Sequence, residues 1–163
     1  MSKKLSLTTK IVLFLIIISL FCIIIFYMRF PFYRAYQIPL SCSLNLKHIY
    51  LAALQHYAAD YAGYYPPANG ATGLEVLRKN DYLTDYVVYT CPGVKKNQSK
   101  DGQPLTEEYV DYVYIGGLNT KSDPNLPILY DKPNNHDNFG NVLFVDGSVN
   151  KIKGESWTQN IRK

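Results

Sequence analysis

Hydrophobic positions fall along the chain in three rhythms, each predicting a different kind of element. From Ile11 to Met28 the run IVLFLIIISLFCIIIFYM is apolar on every helical face and carries no charge. As a helix it would span roughly 27 Å, close to the apolar thickness of a bilayer. From Ser43 to Tyr61 the period lengthens. Leu46, Ile49, Tyr50, Ala53, Tyr57 and Tyr61 recur at three and four, which is one stripe of an amphipathic helix. Ser43 or Asn45 would cap its start, and Gly63 with Pro66-Pro67 would end it. Gly73 to Leu83 predicts a second, shorter helix. Short runs then take over. Tyr86–Thr90 and Tyr109–Ile115 read as strands, rich in aromatic and β-branched residues. Leu126–Tyr130 is interrupted by Pro127 and reads as an edge strand at best.

The strongest local signal lies in HDNFGNVLFVDGSVNKI, His136 to Ile152. Two strand-like runs flank Asp146-Gly147, which predicts a β-hairpin with a two-residue turn. That register sets Val145 opposite Ser148 and Phe144 opposite Val149. It also puts Val142, Phe144 and Val149 on one face. The element order of helices followed by antiparallel strands predicts an α+β fold.

Charge sharpens the picture of the first segment. The formal charge of +4 over 163 residues is concentrated at the start. Lys3, Lys4, Lys10 and Arg29 flank the apolar run, while all 13 acidic residues lie beyond residue 30. The body is therefore neutral, which argues against a nucleic-acid partner. No small-x-small cleavage site follows the apolar run, so it reads as an uncleaved single-pass anchor with its N-terminus in the cytoplasm. The expected organisation is a basic leader over 1–10, a transmembrane helix over 11–28 and a linker over 29–41. A domain over 42–157 and a tail over 158–163 follow. Pro31 and Pro39 predict a break between the membrane helix and the body. Val94–Glu108 reads as a solvated loop.

The motifs resemble a known family. NLKHIYLAALQHYAADYAGYYPP, Asn45 to Pro67, is similar to the opening of type IV pilin-like proteins, the pseudopilins. GLEVLRKNDYLTDYVVYTCP resembles the segment that follows it there. The nine residues between His136 and Asp146-Gly147 match the H-x9-D-G signature of prepilin-type proteins of planctomycete-like bacteria. The matching positions are Asn45, Leu46, Lys47, Pro66, Cys91, Pro92, His136, Asp146 and Gly147. The resemblance implies a single transmembrane helix followed by a pilin-like domain, with a spine helix packed on an antiparallel sheet. It implies a non-enzymatic subunit of a type II secretion or type IV pilus-like system in the inner membrane, facing the periplasm. Its partners would be the bilayer and other pilin-like or secretion-system subunits, copies of itself included. The leader departs from the family pattern: Leu5 stands where a cleavage Gly is expected and Lys10 where a Glu is. This leaves a second expectation, a membrane-anchored periplasmic binding or accessory module that is neither processed nor polymerised.

Candidate chemistry is sparse. His136 and Asp146 either pair, pinning the loop to the turn or holding a cation, or serve separately as a loop residue and a turn residue. Asp131, Asp137 and Asp146, with Asn138, offer oxygen ligands for calcium, without the spacing of a dedicated calcium loop. No other cofactor is implied. Cys42 and Cys91 either form a disulfide between the spine helix and the end of the first strand or are small buried residues. Cys22 belongs to the apolar run. His48 and His56 fall on the long helix as surface residues. No nucleophile, zinc-protease or phosphate-loop motif occurs, so no enzymatic activity is expected.

Overall fold

A computed structural model of the chain describes residues 6–94 and 102–161, with the backbone alone at 30–39 and 160. Lys3, Lys4 and Leu5 of the leader and residues 95–101 of the expected solvated loop lie outside the described residues. The architecture is α+β. By its contacts the chain divides into two units, Met1–Gln37 and Ile38–Lys163.

In the first unit, Leu7–Arg29 is helical, apolar and long enough to cross a membrane, with none of its residues buried. Ile11, Phe14, Phe21 and Phe26 are all exposed. Helix α1 is assigned over Leu7–Ile49, so the break expected at 29–41 is not found. Both prolines lie inside the helix. A proline inside a helix removes one donor, whereas an unwound segment leaves several backbone groups unpaired. Ser43 and Asn45 accordingly cap nothing. Ser43 donates to the Leu40 carbonyl within the helix, and Asn45 reaches out to other segments.

In the second unit, the last turns of α1 pass into a π-helical turn, Tyr50–Leu54, and then α2, Gln55–Asp60. Leu46, Ile49, Tyr50, Ala53, Leu54 and Tyr57 form the buried stripe. Tyr61 leaves it. It stands past the helix end, half exposed, with its ring stacked on Tyr57 at 4.1 Å. Gly63, at φ +89°, returns its N–H to the Ala58 carbonyl and closes the helix. Helix α3, Gly70–Lys79, turns Ala71, Leu74 and Leu77 into the same core. The Glu107 carboxylate accepts from the Ala71 N–H in its first turn.

Tyr86–Tyr89 is a turn of 3-10 helix rather than the expected strand. Asp85 accepts from the Val87 N–H at 2.9 Å and starts the helical turn, outweighing the β-preference of the run that follows.

Four antiparallel strands follow in sequence order: β1 Tyr112–Tyr114, β2 Pro127–Asp131, β3 Phe139–Phe144 and β4 Val149–Lys153. Strand β2 is an inner strand between β1 and β3, not an edge. Pro127 is tolerated because it is the first strand residue and the register shifts between it and Leu129. Ile128, Leu129, Leu143 and Val145 meet the helical stripe. Val142 packs on the other side with Trp157 and Ile161.

The β3–β4 hairpin differs from the two-residue turn by one position. Leu143, not Phe144, lies opposite Val149. Gly147 donates to the Phe144 carbonyl, and Phe144 donates to Ser148. Gly147 has φ +81° while Asp146 does not enter the left-handed region. This is a three-residue loop closed by a glycine bulge. A slip of one residue exchanges the faces of a strand. Leu143 and Val149 therefore join the main core, and Phe144 falls with Val142 on the Trp157 side.

Candidate functional site

The residues that carry the motifs converge in two places on the spine helix. The first is the hairpin turn. Lys47 donates from Nζ to the Gly147 carbonyl, and Tyr50 donates from its hydroxyl to the Val145 carbonyl at 3.0 Å. Asn45 donates from Nδ2 to the Thr90 carbonyl at 3.0 Å and meets the Tyr112 hydroxyl at 3.3 Å. Leu46 between them is fully buried. The triplet Asn45-Leu46-Lys47 thus ties one helical turn to the segment before Cys91, to the core and to the Asp146-Gly147 turn. Asp146 itself is exposed and accepts from the Ser148 N–H at 2.8 Å. Hydrogen bonding to Ser148, with a smaller contribution from the charge of Lys47, holds its carboxyl below the usual value.

The second place is a closed polar cluster around His136. The structure joins Cys42 of α1 to Cys91, with their Cα atoms 5.3 Å apart. His136 brings Nε2 to 3.6 Å from Cys91 Sγ and to 3.3 Å from Asp131 Oδ2. Its ring stacks on Phe139 at 4.6 Å, and the Lys151 ammonium sits 3.7 Å over the other ring. Only 3% of the His136 side chain and none of the Asp131 side chain is exposed.

The partners of this cluster are fixed by strand pairing. Asp131 ends β2, where the β2–β3 register runs Tyr130 opposite Val142 and so brings Asp131 beside Asn141. Both the backbone N–H and the Nδ2 of Asn141 donate to Asp131 Oδ2, at 2.7 and 2.8 Å. Asp131 Oδ1, buried as well, has no hydrogen-bond partner among the described residues. On the other side, Asp111 Oδ2 accepts from the Cys91 N–H at 2.9 Å. The Asp111 carbonyl accepts from Lys132 and Asn135, which lead into His136.

His136 therefore pairs with Asp131 and not with Asp146. Of the two alternatives, the pair across the H-x9-D-G spacing does not form: Asp146 serves its turn through Ser148, and His136 meets the Asp131 side chain and Cys91. Asp137 is exposed, as is Asp146, while Asp131 is buried against His136. Among the described residues, the calcium set Asp131, Asp137 and Asp146 does not assemble. The group whose ligand atoms lie within 4.8 Å of one another is Cys42, Cys91 and His136. Asn138, the fourth oxygen donor expected for calcium, is exposed too, at φ +57°.

The cluster does not have the layout of a nucleophilic triad. A triad needs the carboxylate on one ring nitrogen and the nucleophile on the other. Here a single nitrogen faces both Asp131 and Cys91, the sulfur is engaged in a disulfide, and the ring is enclosed. His48 and His56 are exposed on the helices, and Cys22 is a free exposed thiol in the apolar segment. Sequence reasoning missed Asp131, Asn141, Asp111 and Tyr50 as partners. The available signal was the β2–β3 register, which places Asp131 and Asn141 side by side once Pro127–Asp131 is read as an inner strand.

Comparison with known proteins finds no match: no family model, no curated protein and no solved structure is similar to this chain.

Proposed function

We propose that the chain is a membrane-anchored, non-enzymatic protein with a pilin-like domain, serving as a pseudopilin-like subunit of a type II secretion or type IV pilus-like system. The observation that carries this reading is the dual composition of α1. It holds the apolar stretch Leu7–Arg29, and its last turns supply Cys42, Leu46 and Ile49 to the core beneath an antiparallel sheet. A helix of this kind anchors at one end and organises a domain at the other. The contacts of Asn45, Leu46 and Lys47 with the segment before Cys91, the core and the Asp146-Gly147 turn support the same reading, because they give these motif residues structural tasks. The closure of the His136 cluster supports a structural role over a catalytic one, since a substrate has no access to an enclosed imidazole. On this reading the domain lies on the periplasmic or extracellular side of the inner membrane, where the Cys42–Cys91 disulfide persists, and copies of the chain are among its partners.

The second reading is an anchored accessory module outside any filament. Lys10 favours it, standing in the first turn of α1 where the pilin-like pattern has an acid. One experiment separates the two. Intact mass of the chain is followed with and without prepilin peptidase, together with co-purification of secretion-system components. Stable association with those components is expected. An unprocessed chain that associates with none of them overturns the first reading and leaves the second.

A further inference from the structure

The cluster around His136 holds more donor chemistry than a disulfide needs. We propose that reduction of Cys42–Cys91 opens a zinc site made of Cys42, Cys91 and His136, with Asp131 as the fourth donor. One place in the fold then has two alternative locks, a covalent disulfide or a bound Zn²⁺.

Four observations lead there. The two sulfurs and an imidazole nitrogen already lie within 4.8 Å of one another. Two thiolates, an imidazole and a carboxylate are the donor set of a closed tetrahedral zinc centre, and are too soft for calcium or magnesium. Asp131 brings Oδ2 to 3.3 Å from His136 Nε2, outside the three-residue group but beside it, and its Oδ1 is buried without a hydrogen-bond partner among the described residues. A buried carboxylate that is only half satisfied is costly, and a cation bound beside His136 would offset its charge. The donors are also held from behind. Asn141 donates twice to Asp131 Oδ2, and the Cys91 N–H is fixed by Asp111. Buttressing of this kind orients ligands and raises metal affinity.

The chemistry balances. A dithiol reductant gives two electrons and two protons to the Cys42–Cys91 bond and closes to its own disulfide. Two thiols result. Zn²⁺ displaces their two protons to solvent as it binds; the two thiolates offset its charge, and the Asp131 carboxylate leaves the site with one net negative charge. The protein segments involved are α1, the loop after the 3-10 turn at Tyr86–Tyr89, the end of β2 and the β2–β3 connection. Either lock joins α1 to Cys91, and only the metal draws in the β2–β3 connection through a bond.

The test uses the full chain in detergent micelles, with Cys22→Ser to remove the third thiol. The chain is reduced, freed of reductant without oxygen, and loaded with Zn²⁺ or with Co²⁺ as a coloured probe. One metal per chain is expected after reduction and less than a tenth of that in the oxidised chain. The Co²⁺ complex should show thiolate-to-metal charge transfer. His136→Ala and Asp131→Asn should each weaken binding, His136→Ala by about tenfold or more. Zinc should also shield both Cys42 and Cys91 from alkylation, counted by mass, which needs no variant at the site. The proposal is overturned if the reduced chain takes up no more zinc than the oxidised one. It is equally overturned if His136→Ala binds as the parent does, or if both thiols alkylate freely in the presence of zinc.

Discussion

The Tyr50 hydroxyl donates to the Val145 carbonyl at 3.0 Å, joining the π-helical turn of the spine to the tip of the β3–β4 hairpin. The bond is buried and spans 95 residues of sequence. Tyr50→Phe should leave the Val145 carbonyl short of this donor and cost about 1–2 kcal/mol, read as a lower urea midpoint of the chain in micelles. An unchanged midpoint would mean that the bond contributes nothing.

Gly147 tests the same junction from the other side. It sits at φ +81°, and a Cβ there would collide with the Tyr50 ring. Gly147→Ala should destabilise by about 3 kcal/mol, part from the left-handed backbone and part from the collision. Tyr50→Leu combined with Gly147→Ala should recover only the collision share, so the two effects will not add. Strict additivity in the double-mutant cycle would contradict the contact.

The Cys42–Cys91 bond closes a loop of 49 residues in sequence separation. Reducing it, with chelator present to exclude metal, should lower stability by about 4 kcal/mol through the freed unfolded chain. The readout is the denaturation midpoint with and without reductant, and Cys42→Ser should abolish the difference.

Trp157 is the single tryptophan and covers the side of the sheet away from the main core. Its ring lies where a Cβ on Gly140 would stand, and it meets Tyr130 edge-on at 6.3 Å. Gly140→Ala should push the indole into solvent, shifting its emission to the red and raising quenching by acrylamide. Secondary structure read by circular dichroism should be kept, because the main core on the opposite face is untouched.

Stability should fall at both ends of the pH scale for separate reasons. The Arg78 guanidinium, bonded to Glu75 at 2.7 Å, holds the Glu75 carboxyl below its usual 4.5. A depressed carboxyl stabilises above that value and stops doing so as pH drops through its folded-state value. Glu75→Gln should flatten the acid limb of the stability curve. Burial pushes the hydroxyls of Tyr89, Tyr112 and Tyr114 above the ordinary 10.0. Their contribution is complete below pH 10 and is lost as pH rises beyond it. Ultraviolet titration should therefore show these tyrosinates emerging together with unfolding and not before it.

Periodicity along the sequence determined the elements whose causes are local. The apolar run to Arg29, the stripe Leu46, Ile49, Tyr50, Ala53 and Tyr57, the short helix near Gly73 and a hairpin at Asp146-Gly147 are legible because each follows from neighbours a few residues apart. Tertiary structure decided what depends on partners far away in the chain. It placed β2 inside the sheet despite Pro127, since pairing on both sides outweighs one missing donor. It set the hairpin register by the single left-handed residue Gly147 and by the Tyr50 and Lys47 contacts, which moved Val149 from the face of Val142 and Phe144 to the face of Leu143. It also gave His136 to Asp131. The four residues between them turn the chain back as β2 pairs with β3, so their contact is a property of the sheet and not of the H-x9-D-G spacing.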